Sequence, residues 1–260
     1  GQMLTPFLHE REGLKFVGAA DIDPGITGRD LGDLCGLPQP LGVEITGTLD
    51  TALKTGADIA VITTVSDLQA FFPLLKQVVQ NGVNVVSTCE ELSYPWKTQT
   101  DLAYRIDTLA KEHEVSVLGT GINPGFLMDF LPTAASAVCR DVRKIRIERI
   151  QDASFRRLPF RKKIGAGLSP DEFQQRVAEK KIRHVGLTES MHMIAARIGW
   201  NLSRTEDTVE PIIAESEISG NDWTIAPGRA AGVNQIGRGH VGNDEVLTLV
   251  FRASVGEKES

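Results

Sequence analysis

The sequence predicts two α/β units in series: a doubly wound parallel sheet over residues 1–130 and an α+β unit with an open sheet over 131–260. Three observations lead there. In the first half, short apolar runs alternate with helical patterns, as in a parallel sheet covered on both faces. In the second half, longer extended stretches gather, one alternating charged and apolar residues. The chain has 260 residues with 25 glycines and only 6% aromatics, which suits many tight strand-to-helix turns.

The elements follow in order. Residues 2–10 read as the end of a helix, with Met3, Leu4, Phe7 and Leu8 at helical spacing. Residues 14–21 form a short buried strand ending in Asp21, and 58–64 a second one closing on Thr63 and Thr64. A helix is predicted over 66–81, capped by Ser66 or Asp67 and stopped by Asn81-Gly82. A strand over 83–88, a polar-faced helix over 97–113 and a strand over 115–119 complete the pattern. The last strand runs into Gly121-Ile122-Asn123-Pro124-Gly125. In the second half, 143–150 is a half-exposed strand, helices fall near 170–178 and 187–200, and 209–218, 223–226, 230–239 and 245–255 are extended.

Composition removes several function classes. The net charge of −6 argues against a nucleic-acid partner. No apolar run approaches the ~18 residues of a membrane span, and residues 1–10 lack a leader pattern, so no membrane partner is expected. Cys35, Cys89 and Cys139 are odd in number and far apart, which excludes a disulfide scaffold and suits a cytoplasmic chain. No His/Asp/Glu group has metal-ligand spacing, so no metal is expected. No G-x-S-x-G elbow occurs, and Cys89 reads as a buried thiol.

A doubly wound sheet holds its ligand at the carboxyl ends of its strands. In Gly18-Ala19-Ala20-Asp21-Ile22-Asp23-Pro24, Asp21 stands where an acid accepts hydrogen bonds from an adenosine ribose. The alternative is a turn built on Asp23-Pro24-Gly25. A carboxylate there repels a 2′-phosphate and no Arg follows directly, which favours NAD over NADP. The G-x-G-x-x-G fingerprint is missing. The chain opens on Gly1-Gln2-Met3, so Gly1 is read as its last glycine, with the first strand of a Rossmann-type sheet upstream of this sequence. Thr63, Thr64 and Thr88, at strand ends, join the cofactor-binding set; the alternative is hydroxyls bonded to local backbone. Asn123 suits the nicotinamide amide, with Pro124 and Gly125 shaping the loop around the ring; the alternative is a plain turn.

Five segments, in order, carry a resemblance. They are Val85-Val86-Ser87-Thr88-Cys89-Glu90-Glu91-Leu92-Ser93-Tyr94-Pro95-Trp96; Gly119-Thr120-Gly121-Ile122-Asn123-Pro124-Gly125-Phe126-Leu127-Met128-Asp129; Asp152-Ala153-Ser154-Phe155-Arg156-Arg157-Leu158-Pro159; Lys163-Ile164-Gly165-Ala166-Gly167-Leu168-Ser169; and His184-Val185-Gly186-Leu187-Thr188-Glu189-Ser190. Together they resemble the 2,4-diaminopentanoate dehydrogenase family, which includes the native NAD(P)-dependent amine dehydrogenases and shares its architecture with dihydrodipicolinate reductases. The resemblance runs through nearly the whole chain and departs at both ends, implying a longer protein.

It implies reversible oxidative deamination of an amine to a ketone and ammonia, 2,4-diaminopentanoate being one candidate substrate, with NAD or NADP as cofactor. A single glutamate of the Glu90-Glu91 pair is then the catalytic group. Glu91 is favoured over Glu90 because neighbouring side chains on extended backbone diverge; otherwise both are solvated at a helix start. His184 would line the amine pocket and, with an ordinary near-neutral pKa, assist proton transfer, or else cap or pack. Trp96 and Leu158 would shape the pocket. Arg146 and Glu148 share a strand face opposite to Arg149 and either line the substrate cleft or form a solvated charged face. The basic run Arg156, Arg157, Arg161, Lys162 and Lys163 reads as a loop, either closing over the cofactor or solvated. A homodimer is expected through the long strands of the second half. Two other readings stand beside this one. A dihydrodipicolinate reductase-like imine reductase would need a basic, His-rich motif that is not seen, and Glu90-Glu91 would repel a diacid. A non-catalytic dinucleotide-sensing protein would suit the missing glycine loop.

Overall fold

The structure, a computed structural model, describes residues 1–156, 158–220 and 223–256. Two compact units divide between Thr120 and Gly121.

The first unit runs through α1 (Thr5–His9), β1 (Ala19–Ala20), α2 (Leu31–Leu34), β2 (Ile45–Thr46), α3 (Leu49–Leu53), β3 (Ile59–Ile62), α4 (Leu68–Gln80), β4 (Asn84–Ser87), a 3-10 turn (Glu90–Ser93), α5 (Thr100–Glu112) and β5 (Val117–Gly119). β3, β4 and β5 form a parallel sheet in that order, while β1 and β2 make a separate parallel pair. The strand expected over 14–21 therefore shrinks to two residues, because only Ala19 and Ala20 find partners, in Ile45 and Thr46. α4 shows how its sequence makes a helix. Asp67 caps it by accepting from the Ala70 N–H at 2.7 Å. Leu68, Phe71, Phe72, Leu75, Val78 and Val79 form one buried stripe at helical spacing, and Asn81 caps the far end. The stripe packs in one core with Val83 and Val85 of the β4 segment and Leu102 and Ile106 of α5.

The second unit contains α6 (Phe130–Ser136), β6 (Ile145–Asp152), α7 (Leu158–Lys163), α8 (Pro170–Ala178), α9 (Leu187–Ile198), β7 (Arg204–Ile213), β8 (Ile218–Ser219), β9 (Thr224–Ile225), β10 (Ala230–Val241) and β11 (Asp244–Ser254). Its open sheet has the order β6-β11-β10-β7. β6 runs parallel to β11, and the other pairings are antiparallel. Leu187, Met191 and Ile194 of α9 pack in one core with Leu247 and Leu249 of β11. The basic run read as a loop holds helix α7, and its Arg157 lies outside the described residues. No helix among the described residues is long and apolar enough to cross a membrane.

Candidate active site

The Glu90-Glu91 segment is knitted to the start of α4. The buried Ser87 hydroxyl donates to the Ile62 carbonyl at 3.0 Å and accepts from the Cys89 N–H at 3.1 Å. The Cys89 thiol and the Glu91 N–H both donate to the Ser66 carbonyl, each at 3.3 Å. Burial pushes the Cys89 thiol up to about 12, so it is no nucleophile at neutral pH. Glu91 is only 7% exposed. Its Oε2 accepts from the Leu68 N–H at 2.9 Å and from Gln99 Nε2 at 2.5 Å. The first donor belongs to the N-terminal turn of α4, whose dipole complements a negative group. Glu90 is half-buried and its side chain takes no hydrogen bond from the described residues. The turn carrying both acids lies directly on β5. A side-chain carbon at Gly119 would come within 2.6 Å of the Leu92 carbonyl oxygen, so glycine is required for that approach.

Thr63 and Thr64 follow β3, and Thr88 follows β4. The parallel sheet thus brings them to the same edge as the two glutamates. Thr63 Oγ1 accepts from the Gly1 nitrogen at 2.7 Å. Asp21 follows β1, in the separate pair, and is exposed; its Oδ1 accepts from the Asp23 N–H at 3.0 Å. The local-turn geometry is therefore present. Trp96, further along the first unit, packs edge-on against Tyr104.

In the second unit, the loop that opens with Asn123-Pro124-Gly125 is fixed by an acid that sequence reasoning passed over. Asp129 is 0% exposed. Its Oδ2 accepts from the Gly125 N–H at 2.7 Å and the Ser190 hydroxyl at 2.8 Å. Its Oδ1 accepts from the Phe130 N–H at 2.6 Å, at the start of α6. The signal was an aspartate directly before a helical pattern, where capping acids belong. Pro124 fills the space that a side chain at Gly186 would take, with its ring 2.4 Å from that position. Asn123 Nδ2 donates to Met128 Sδ at 3.1 Å, while its Oδ1 is enclosed without a partner among the described residues.

His184 is held from both sides of its backbone by the fully buried Gln235. The His184 N–H donates to Gln235 Oε1 at 2.5 Å, and its carbonyl accepts from Gln235 Nε2 at 3.2 Å. Gln235 Nε2 also reaches both Asp207 oxygens, at 2.9 and 3.0 Å. The imidazole stacks on Phe251 with centroids 4.6 Å apart. The residue keeps some exposure, but Nε2 is enclosed and has no hydrogen-bond partner among the described residues. Desolvation first, then the charges of Arg149 and Lys163, push the ring down to about 3. This runs against the expectation of a near-neutral proton carrier: the His184 ring stays neutral at neutral pH. Because the unfolded ring binds a proton near 6.5 and the folded one near 3, its contribution to stability is intact above pH 6.5 and drains away as pH falls towards 3. The loss reaches at most ~1.4 kcal/mol per pH unit. Urea midpoints of wild type and His184→Leu between pH 7 and 4 check this: the wild-type midpoint falls more steeply. Equal slopes contradict it.

The sheet separates the remaining expected substrate residues. Arg149 pairs in register with Phe251 and lies 5.7 Å from that ring's centroid, on the His184 side. Arg146 and Glu148 point to the other face, where they pair with each other at 2.6 Å, 58% and 42% exposed. Strand alternation marked this division, but not which face carries His184. Leu158 opens α7 and is exposed. Among the described residues, no group of His, Cys, Asp or Glu is arranged to hold a metal ion.

A parallel-sheet unit with hydroxyls and acids at its strand ends, followed by an open-sheet unit, defines a Rossmann-like α/β architecture. Comparison with known proteins narrows it. Residues 126–258 match the model of the 2,4-diaminopentanoate dehydrogenase C-terminal domain, and the chain belongs to that family. A 2,4-diaminopentanoate dehydrogenase of Acetoanaerobium sticklandii is 36% identical over 198 residues, covering 74% of this chain and 55% of the relative. The chain thus spans about half the length of that relative. Among solved structures, an amine dehydrogenase from Mycobacterium smegmatis aligns over 100% of this chain and 77% of its own, with TM-score 0.84 and 24% identity. An Agrobacterium radiobacter oxidoreductase solved with NAD+, L-tartaric acid and magnesium aligns over 99% and 64%, with TM-score 0.53 and 14% identity. These two likenesses show the fold.

Proposed function

We propose that the protein is an NAD(P)-dependent amine dehydrogenase that converts an amine reversibly to a ketone and ammonia, with 2,4-diaminopentanoate as a substrate. Family membership and the named relative support the reading. The observation that carries it is the Glu91 carboxylate, enclosed at a strand's carboxyl end and oriented by two N–H donors.

Structural neighbours were solved with NAD+ and with NADP+, which supports a nicotinamide dinucleotide here. The residues fit one: hydroxyls at adjacent strand ends and an exposed acid after β1. In this reading Asp21 binds the adenosine ribose, which favours NAD. Gly1, Thr63, Thr64 and Thr88 hold the diphosphate and second ribose, and Asn123, Pro124 and Gly125 receive the carboxamide. When bound, the nicotinamide ring supplies the hydride acceptor. The chain's own part is to bind, orient and move protons. Glu91 pairs with the substrate ammonium and takes a proton from the amine or the attacking water. His184, with its ring held neutral, belongs to the substrate-binding set. The first unit, with the sequence boundary near 130, is the dinucleotide-binding domain, and the second binds substrate. Three free cysteines suit a cytoplasmic, reducing setting. A homodimer belongs to the proposal. β10 and β11 are paired on both sides, so strand pairing with another copy falls to β6 or β7.

The test is amine-dependent reduction of NAD+ and NADP+ across a panel from 2-aminoalkanes to 2,4-diaminopentanoate. Turnover with 2,4-diaminopentanoate, faster with NAD+, is the expected result. Cofactor binding without turnover of any amine overturns the reading and favours the sensor or another imine reductase.

A further inference from the structure

We infer that Gln99 is the positioning residue of the reacting carboxylate: its side-chain amide fixes the plane of Glu91. The inference rests on the dehydrogenase reading. Gln99 occupies the N-cap position of α5, with φ −138° and ψ 56°, yet its side chain makes no bond to its own helix. Glutamine is a poor cap, and the first-turn N–H groups of α5 gain nothing from it. Its backbone is nonetheless held on both sides: the N–H donates to the Pro95 carbonyl at 2.8 Å, and the carbonyl accepts from Ala103 at 2.9 Å. The side chain turns instead to Glu91 Oε2 at 2.5 Å.

That oxygen already accepts the Leu68 N–H at 2.9 Å. A donor from α5 beside the donor from α4 restrains rotation of the carboxylate about either bond. Proton transfer requires this, since small misplacement of a reacting group is costly in rate. Gln99 contributes no proton of its own. Its amide stays neutral at all working pH values and its donor cannot be withdrawn.

The experiment uses four proteins: wild type, Gln99→Leu, Gln99→Glu and the swap Gln99→Glu/Glu91→Gln. The readouts are kcat, KM for the nucleotide and the pH profile of kcat/KM for amine oxidation. Gln99→Leu lowers kcat by about 10- to 100-fold, the usual effect of losing a supporting partner, with nucleotide KM unchanged. Gln99→Glu places two carboxyl groups at hydrogen-bond distance. They share a proton, so the acidic limb of the pH profile moves alkaline by about one unit or more. The swap keeps an amide–carboxyl pair and hence the thermal midpoint, while turnover stays lost because the carboxylate has moved. Unchanged kcat and pH profile in both single variants, with only a lower midpoint, overturn the inference and leave the dehydrogenase reading standing. Recovery of turnover in the swap also overturns it. A wild type that oxidises no amine refutes the dehydrogenase reading itself, and this inference with it.

Discussion

Glu91→Gln lowers kcat for amine oxidation by roughly 10²- to 10⁴-fold, the range for loss of a proton-transferring group, and Glu90→Gln leaves it close to the wild-type value. The substitution keeps size and shape. Leu68 and Gln99 both donate to a single oxygen of Glu91, and the carbonyl oxygen of glutamine can accept both. The substituted side chain therefore keeps these two bonds while the basic group is lost. Matched far-ultraviolet spectra and thermal midpoints, beside kcat at saturating amine and nucleotide, separate chemistry from folding. Collapse in Glu90→Gln with Glu91→Gln active would move the reacting group to the half-buried neighbour.

Asp129→Ala destabilises the second unit by about 1–3 kcal/mol, the usual cost of leaving a buried donor unsatisfied. The carboxylate serves three donors: Gly125 N–H, Ser190 hydroxyl and Phe130 N–H. Alanine leaves all three without the carboxylate, the Ser190 bond being buried and the other two partly so, and an unmet buried group costs about 1–3 kcal/mol. Ser190→Ala removes one donor and costs about 1 kcal/mol. Urea unfolding at pH 7 measures both, and a loss below about 1 kcal/mol for Asp129→Ala would show that the network is replaced by other bonds.

Much of the fold was legible because burial writes itself into runs and periods. The apolar runs at 58–64, 83–88 and 115–119 enclose β3, β4 and β5, and the spacing and caps of 66–81 enclose α4. α2, α3 and β2 were not legible, and of the strand over 14–21 only the two residues of β1 form. They have two to five residues each, too few for a period, and side-chain bonds build this region. Asp30 alone accepts from the N–H groups of Gly32, Asp33, Leu41 and Val43, and the backbone bond from Leu41 does most to hold its carboxyl below the usual carboxylate range. In the candidate site, residue types at strand ends were visible in the sequence. The partners that fix them were not. Gln99, Asp129, Ser190 and Gln235 act across 8 to 61 residues of sequence, and only folded geometry joins such groups.

The β6–β11 pairing has a consequence for biosynthesis. Ile145 meets Leu247 and Asp152 meets Ser254, so an edge strand made early waits for a partner roughly a hundred residues later, a loop closure that is entropically slow. β10 and β11 need only the turn at Gly242-Asn243 to find each other. On the ribosome, β6 therefore stays an open template while the rest of the unit is synthesised. Its alternation of Arg146 and Glu148 with apolar residues keeps charge on that bare edge, as natural sheets do where a strand must resist joining a neighbouring chain.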